Sequence, residues 1–552
     1  MAWRGRRLSS KSVVLGLHGM PRFFNTAGVC EPRKHYMLPP RRRIGTVIPL
    51  IGQEAYFVVH APRQSGKTTC FHHLARELTA EGRYAALLTS CETARTAGDD
   101  VDRGVNVVVR AVETDAGGDL PPELRPPPAE SVHHVDAELR LNRYLVDWCE
   151  RCPRPVVLFL DEIDALSGKT LLAVLQQVRA GYRGRPQRFP HSLALIGLRD
   201  VRDYKVRDVP GVPDPVIREL QEILGTSSPF NVKVESLTLR NFTAEEVAEL
   251  YSQHTEDTGQ AFSAEATELA WGLTRGQPWL VNALARQVVT KEAPNPATQV
   301  TAAQVESAKE ALILRQDTHL DSLVKRLREA RVRRVVEPIL AGEYPEKEVP
   351  EDDLAFVEDL GLVAKGPSGY GMANPIYREV VPRALTSGTE RFLPVDERTY
   401  VLADGGLDFD RLLDDFVAFW REHAESFLER QPYSEAAAQL VCMAYFQRVI
   451  NGGGYIDREY AVGSGRVDLC IRWPLPDGTL QRFALELKVW RQGRPDPVDD
   501  GLRQLGRYLE RLGLGAGTLL IFDQRKEAPP FVERGARETR TLDGREILVL
   551  RL

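Results

Sequence analysis

Residues 56–69 contain the clearest chemical pattern in the chain. Residues 56–61 form an apolar run, which predicts a strand, and a tight turn then leads into Gly66-Lys67-Thr68 at the start of an amphipathic helix. Backbone N–H groups at such a helix start bind an oligophosphate, while a lysine reaches the outer phosphates and a hydroxyl binds magnesium. We therefore predict that Lys67 contacts phosphate and that Thr68 binds Mg²⁺. The phosphate-contacting residues predicted here are Pro62, Arg63, Gln64, Ser65, Gly66, Lys67, Thr68 and Thr69.

An acidic pair follows a second apolar run about a hundred residues later. Residues 155–160 are continuously apolar, which indicates a buried parallel strand, and Asp161 and Glu162 stand at its carboxyl end. Open α/β sheets bind their ligands at that edge. We predict that Asp161 holds the magnesium shell and that Glu162 polarises an attacking water. The alternative is an ordinary strand that ends in an acidic turn.

Arg199 follows a third apolar run, residues 192–198. This position also lies at the ligand-binding edge of the predicted sheet, where a cation would sense a terminal phosphate. A salt bridge at the end of the strand explains the arginine equally well.

A second cluster of chemical residues lies in the last quarter of the chain. Two segments of alternating polarity, 465–473 and 480–490, flank an Asp-Gly turn and predict a β-hairpin. A register centred on the turn places Asp468 opposite Glu486 or its neighbour, and the period of a strand puts Lys488 on the same face. Two carboxylates and a lysine suit a metal-dependent phosphodiesterase. The alternative is a surface salt bridge between cross-strand charges.

Residues 45–290 resemble the STAND and archaeal-type AAA ATPases. The resemblance depends on Gly66-Lys67-Thr68, on Asp161-Glu162 and on Gly276-Gln277-Pro278, which interrupts a helical region and restarts it with a proline in the first turn. It implies ATP and Mg²⁺ as ligands, and contact of Gly276 and Pro278 with the adenine. Ala61 departs from the pattern, because members of such families usually have glycine there.

Residues 416–522 resemble the PD-(D/E)XK nucleases, and the Gln504-to-Tyr508 segment resembles their RecB-like branch. The resemblance implies that Glu435 is an upstream helical acid and that Asp468 and Glu486 bind Mg²⁺ or Mn²⁺. It further implies that Lys488 is catalytic and that Gln504 and Tyr508 orient DNA.

The elements that position these residues predict an α/β fold. Strands are expected at 56–61, 84–90, 155–161, 192–198 and 232–237, with helices between them, which indicates a parallel sheet covered on both faces. Helices and a short hairpin over 317–385 resemble a winged helix. The basic residues at 325–334 would meet DNA phosphates or form a solvated helix face.

The domain prediction divides the chain into six segments. They are a disordered or extended segment 1–30, a P-loop ATPase core 31–240, a helical lid 241–315, a winged-helix-like domain 316–390, a linker 391–415 and a nuclease-like domain 416–552.

Composition limits the remaining choices. The 552 residues are 43% hydrophobic and 27% charged with a net charge of −5, which gives no overall nucleic-acid footprint, so any DNA contact must be local. No apolar stretch suits a membrane span, and seven scattered cysteines fit a reducing cytoplasm. For Cys149 and Cys152 we favour a structural role over zinc or redox chemistry.

The predicted function is a cytoplasmic ATPase whose nucleotide state gates a DNA endonuclease, with genome defence as a role suggested by architecture alone. DNA is the expected partner, self-association is a further expectation, and no membrane is involved. Two alternatives remain. One is a nucleotide switch whose C-terminal domain only binds nucleic acid or protein, and the other is a scaffold that oligomerises on ATP.

Overall fold

A computed structural model describes residues 22–199, 233–315, 323, 325–327, 329–340, 349–366, 369–381, 400–430, 441–443, 445–446, 454–462 and 465–552. Its strands are β1 (Tyr56–His60), β2 (Ala85–Ser90), β3 (Val156–Asp161), β4 (Ser192–Gly197), β5 (Lys233–Thr238), β6 (Val363–Gly366), β7 (Gly369–Met372), β8 (Tyr455–Val462), β9 (Gly465–Pro474), β10 (Leu480–Trp490), β11 (Ala516–Asp523), β12 (Ala536–Leu542) and β13 (Arg545–Arg551).

The helices are α1 (Pro40–Ile44), α2 (Val47–Gly52), α3 (Lys67–Ala80), α4 (Val101–Asp119), α5 (Ala137–Arg151), α6 (Gly168–Gly181), α7 (Ala244–Thr258), α8 (Ala264–Thr274), α9 (Pro278–Gln287), α10 (Ala302–Arg315), α11 (Ala330–Leu340), α12 (Glu351–Asp359), α13 (Phe409–Arg430) and α14 (Val498–Leu512). None of them is long and apolar enough to cross a membrane.

The first sheet is parallel and has the strand order β2-β3-β4-β1-β5. All residues of β3 and β4 are buried, as expected for strands that are covered on both faces. Separate apolar clusters cover its two faces. The predicted α/β architecture is therefore confirmed, and each of the five predicted strands is present within about a residue of its expected limits.

The helices after this sheet form one apolar core instead of two. Thr243 and Glu246 make a capping box at the start of α7. The core that begins on α7 to α10 continues without a break into α11, α12 and the β6–β7 hairpin. The segments predicted as a lid and as a winged-helix-like domain therefore bury their apolar faces together.

The N-terminal residues from 22 onwards also belong to this core. Phe24 and Tyr36 are each 1% exposed and pack beside Tyr251 and His254 of α7. Phe24 precedes the boundary predicted at residue 30 and Tyr36 follows it, yet both contact the same helix. Residues 22–38 thus form a strap that runs over the lid.

The C-terminal sheet has the strand order β12-β13-β11-β10-β9-β8. Strands β10, β11 and β13 are parallel, while β8 and β9 join β10 as an antiparallel meander. Helix α14 connects β10 to β11 and packs on one face, and α13 packs on the other. The nuclease-like label given to this domain stays a prediction.

The predicted linker 391–415 needs a correction for its second half. Tyr400, Leu407, Leu412 and Leu413 are buried in the C-terminal core because this segment folds back onto the β9–β10 hairpin. The backbone N–H of Leu407, for example, donates to Oε1 of Gln481 at 2.8 Å.

Cys149 and Cys152 form no disulfide. Cys149 is buried, and the Cys152 thiol approaches the carbonyl of Leu124 at 3.8 Å. These contacts are consistent with the structural role favoured from the sequence.

Candidate functional site

The loop between β1 and α3 (residues 61–66) follows a strand that lies between β4 and β5. It turns sharply because Gln64 and Gly66 both have positive φ, +57° and +88°. Gly66 caps α3, so that Lys67 and Thr68 are the first residues of the helix. The backbone therefore has the sharp turn into a helix N-terminus that binding of a phosphate requires.

Lys67 is held inside this loop. Its Nζ donates to the carbonyl oxygens of Ala61 at 2.6 Å and Pro62 at 3.0 Å. Burial lowers the pKa of Lys67 to about 8, although the carboxylates of Asp161, Asp164 and Glu162 act in the opposite direction. A cation held at the start of a helix is suited to contact a polyphosphate.

The acidic end of β3 meets the start of α3 directly. Thr68 Oγ1 donates to Asp161 Oδ2 at 2.6 Å, and the backbone N–H of Glu162 donates to Asp161 Oδ1 at 2.8 Å. Asp161 is 2% exposed, and burial raises the pKa of its carboxyl group. A hydroxyl and a carboxylate in contact are the oxygen donors that Mg²⁺ prefers, so these two residues fit the ion.

Glu162 lies beside this pair and is more open to solvent. Its backbone has φ +51°, and its Oε2 is 3.6 Å from Nη2 of Arg95. Burial raises the pKa of its carboxyl group, and the nearby Glu92 and Asp161 add to the effect. Asp164 has a different place, because its Oδ1 accepts the backbone N–H of Leu198 at 3.1 Å.

Arg199 is buried at the end of β4. Its guanidinium carbon lies 3.6 Å from the centre of the Phe356 ring on α12, and Arg331 lies 3.2 Å from the same ring. The structure therefore places Arg199 against the segment predicted as a winged helix. Its role as a phosphate sensor stays a prediction.

The Gly276-Gln277-Pro278 segment lies next to the β1–α3 loop. Gln277 caps α9 by accepting the N–H of Leu280 at 2.6 Å, and its Nε2 is 3.5 Å from the carbonyl oxygen of Gln64. Pro278 is buried in the first turn of α9. A cavity of about 250 Å³ opens beside Pro62, Arg63 and Gln277.

Sequence reasoning missed two contributors to this region. Cys30 on the strap donates its N–H to Thr69 Oγ1 at 3.2 Å, and Arg43 on α1 donates to the carbonyl oxygen of Ser65 at 3.0 Å. Arg43 stands in a run of three arginines, a pattern that normally indicates a solvated surface. No local signal distinguishes it from its neighbours.

The second cluster has the predicted cross-strand geometry. Pairs in the β9–β10 ladder run to Leu469 opposite Leu485, so the next step places Asp468 opposite Glu486. Asp468 Oδ2 accepts the N–H of Leu487 at 2.8 Å. Lys488 Nζ donates to Glu486 Oε1 at 2.7 Å.

Helix α14 supplies Gln504 and Tyr508, the two residues that the nuclease resemblance implies orient DNA. Lys488 Nζ also donates to Gln504 Oε1 at 3.0 Å, and Gln504 Nε2 donates to the hydroxyl oxygen of Tyr508 at 3.3 Å. Four of the predicted residues, Glu486, Lys488, Gln504 and Tyr508, are therefore joined in one chain of hydrogen bonds.

The electrostatics of Glu486 are unusual for a salt bridge. The residue is 0% exposed, and burial together with the charge of Asp468 raises its pKa to about 8, although Lys488 opposes this shift. Within the described part of the chain its Oε2 has no hydrogen-bond partner. A buried carboxylate oxygen without a partner is costly unless a cation binds there.

The described residues contain no group of three or more His, Cys, Asp and Glu side chains placed to hold a metal. Glu435, the third predicted acid, lies outside the described residues. The donors that the structure places together are thus the two carboxylates of Asp468 and Glu486.

No protein-family model and no curated protein matches the chain. Solved structures do. A Walker-type ATPase of Pyrococcus abyssi is 11% identical, with a TM-score of 0.44 over 65% of this chain and 99% of that chain. The ORC2 protein of Aeropyrum pernix is 15% identical, with a TM-score of 0.35 over 64% and 96%. The branch-migration motor RuvB of Thermotoga maritima is 15% identical, with a TM-score of 0.32 over 62% and 93%.

Proposed function

We propose that this chain binds ATP with Mg²⁺ and hydrolyses it. The observation that supports the proposal most directly is the 2.6 Å contact of Thr68 with Asp161, because it joins the start of α3 to the acidic end of β3 beside a buried lysine. Two separate sequence patterns thereby meet at one edge of a parallel sheet, which is where such sheets bind ligands.

Each residue has a separate role in this proposal. Lys67 contacts the outer phosphates, Thr68 and Asp161 hold Mg²⁺, and Glu162 orients the attacking water. The ion held there would neutralise the charge that develops on the phosphate oxygens. Gly276 and Pro278 face the adenine base. Arg199 contacts the terminal phosphate after its guanidinium has moved away from the Phe356 ring.

The test is ATP titration of the purified full-length protein, followed by measurement of phosphate release with and without Mg²⁺. We expect saturable binding and Mg²⁺-dependent release. A chain that neither binds nor hydrolyses ATP contradicts the proposal.

We propose further that the C-terminal domain is a metal-dependent DNA endonuclease. Its support is the buried Oε2 of Glu486, which has no hydrogen-bond partner among the described residues and lies beside Asp468, together with Lys488, which bonds both Glu486 and Gln504. In this role Asp468 and Glu486 would hold Mg²⁺ or Mn²⁺, and the ion would supply a water of lowered pKa. Lys488 stabilises the charge on the phosphate in the transition state, while Gln504 and Tyr508 orient DNA, with Glu435 as an additional acid.

A direct contact between domains supports gating of this nuclease by ATP. Arg472 on β9 lies 3.5 Å from Glu306 on the lid helix α10, and the same Glu306 oxygen accepts a bond from Lys309 at 2.6 Å. Lys309 is only 3% exposed in its side chain and also contacts Glu379 of the winged-helix-like segment at 3.1 Å. A movement of the lid would therefore act on the strand that holds Asp468. Such a nuclease suits a role in genome defence.

One experiment tests both the nuclease activity and its gating by ATP. The protein is incubated with plasmid and linear DNA, with Mg²⁺ or Mn²⁺, and with or without ATP. Cleavage that depends on ATP supports a gated nuclease. DNA binding without cleavage supports the alternative, a nucleotide-dependent switch or scaffold. Sedimentation of the same samples with and without ATP tests self-association.

A further inference from the structure

Arg43 connects three parts of the molecule through one side chain. Its Nη1 donates to the carbonyl oxygen of Ser65 in the β1–α3 loop at 3.0 Å, and its Nη2 donates to the carbonyl oxygen of Arg240 at 2.7 Å. The guanidinium carbon lies 4.7 Å from the centre of the Phe242 ring. Arg240 and Phe242 belong to the segment that joins β5 to the lid helix α7.

The contact with Ser65 controls the direction of a loop N–H. A trans peptide bond is planar, so its C=O and N–H groups point in opposite directions. Because the Ser65 carbonyl points toward Arg43, the N–H of Gly66 points away from α1. Backbone N–H groups of this kind are the donors that bind phosphate oxygens.

Gly66 is shaped by the same contact. A Cβ atom there would lie 2.9 Å from Nη1 of Arg43, and the φ of +88° is strained for any residue with a side chain. A residue with a side chain would have to adopt this strained φ and displace the guanidinium of Arg43 from its present position.

The second nitrogen of the guanidinium, Nη2, bonds the segment that joins β5 to the lid helix α7. The Arg240 side chain forms two bonds with Glu246, at 2.6 and 2.7 Å, and Glu246 closes the capping box of α7. The N–H of Phe242 donates to the carbonyl oxygen of Gly276 at 2.8 Å. The segment between β5 and α7, which Arg43 bonds through Arg240, is thus also bonded to the Gly276-Gln277-Pro278 segment.

We propose that Arg43 is a positioning residue for nucleotide binding, which fixes the phosphate-binding geometry of the β1–α3 loop relative to the lid. The inference rests on the proposed binding of ATP. Helix α1, which lies outside the β1–α3 loop, would thus help to set the affinity of that loop for phosphate. Burial lowers the pKa of Arg43, but an arginine retains its charge in proteins, so the side chain also places a fixed cation behind the loop.

Two substitutions distinguish the effect of the two guanidinium hydrogen bonds from the effect of the positive charge. Arg43→Lys keeps the charge but has a single ammonium group, which cannot bond both carbonyls in the same planar geometry. Arg43→Met removes the charge and both bonds while keeping an unbranched side chain. Arg42→Met is the matched control, because Arg42 is the preceding residue on α1 and bonds Glu249 of the lid at 2.8 and 2.9 Å, with no described hydrogen bond to the β1–α3 loop.

The experiment measures the Kd for fluorescent ATP and ADP analogues, then KM and kcat for hydrolysis, with the full-length protein. We expect both Arg43 variants to raise Kd and KM about tenfold or more, the usual scale for losing a charge-assisted bond, while kcat at saturating ATP changes much less. Arg42→Met should stay within about twofold of the unmodified chain.

A purely structural Arg43 would give a different result. Either variant would then lower the melting temperature and leave the KM of the folded protein unchanged, and that outcome overturns the inference. If Arg43→Met fails to fold, Arg43→Lys decides the question on the same readout. Absence of ATP binding by the unmodified chain instead refutes the proposed function, and the inference about Arg43 falls with it.

Discussion

Glu486→Gln separates a metal site from a salt bridge, because the two interpretations predict effects of opposite sign. The amide has the shape of a protonated glutamic acid and cannot ionise. In the unmodified protein without metal, Glu486 stays protonated up to a pH of about 8, since burial and Asp468 raise its pKa from 4.5 to about 8.

The magnitude follows from linkage. Between pH 4.5 and about 8 the folded chain holds a proton on Glu486 that the unfolded chain has lost, so stability falls as pH rises through this range. Moving a pKa from 4.5 to about 8 corresponds to about 5 kcal/mol as an upper limit. Glu486→Gln removes this loss. The variant should therefore match the unmodified protein at pH 5 and be more stable than it at pH 8.

The assay is hydrogen exchange of β10 under increasing urea, at several pH values and without divalent ions, because a protein of several domains does not unfold in one step. Mg²⁺ or Mn²⁺ should then protect the unmodified protein increasingly as pH rises, since the metal needs the ionised carboxylate. Glu486→Gln should show no such protection.

Asp496→Asn is the matched control in the same domain. Asp496 bonds Arg551 at 2.8 Å with each side chain about a third exposed, so its loss should cost at most about 1 kcal/mol and leave the metal response intact. The reasoning is refuted if Glu486→Gln destabilises the chain at pH 8 by about 3–5 kcal/mol, the cost of breaking a buried ion pair, and metal never protects β10.

Three further predictions concern the nucleotide site and its link to the C-terminal sheet. Lys67→Ala should abolish ATP binding in titrations while the melting temperature stays close to that of the unmodified chain; unchanged affinity would contradict the role of Lys67. Glu162→Gln should retain ATP binding but lower kcat at least ~100-fold. The control Glu92→Gln, which alters another carboxylate near Arg95, should leave kcat unchanged. A kcat for Glu162→Gln equal to that of the unmodified chain would assign the orientation of water to another residue. Arg472→Glu should abolish the effect of ATP on hydrogen exchange in β9, because it sets two negative charges against each other at Glu306. Arg482→Glu, which faces Arg472 across the hairpin and has no described bond to the lid, should leave that effect intact.

Much of the sheet architecture could be predicted because its signals are local. The buried runs before Asp161 and Arg199 have the length and apolarity of parallel strands, and the Asp-Gly turn fixes the register that brings Asp468 opposite Glu486. Strand period places Lys488 on the same face as Glu486, to which it donates, whereas the bond of Lys488 to Gln504 was not predicted.

The contacts that the sequence could not reveal join residues far apart in the chain. Phe356 packs between Arg199 and Arg331, and Arg43 reaches Ser65 and Arg240, yet neither contact leaves a periodic pattern. The linker prediction was wrong over 400–415 for a related reason. Its glycines and acidic residues resemble a connection, whereas burial of Tyr400 and Leu407 depends on a distant hairpin.

The single core that spans α7 to α12 and the β6–β7 hairpin sets where this protein can be divided. A chain that ends after Arg315 would lack Val335, Val336 and Leu362 of the common core. The apolar side chains that pack against them would then be exposed, and the shortened chain would be prone to aggregate. The same core limits recombination between proteins. The lid helices α7–α10 and the following elements α11, α12 and β6–β7 cannot be exchanged separately without repacking the apolar surface that they share. The elements from α7 to the β6–β7 hairpin should therefore be inherited, and should unfold, as one unit.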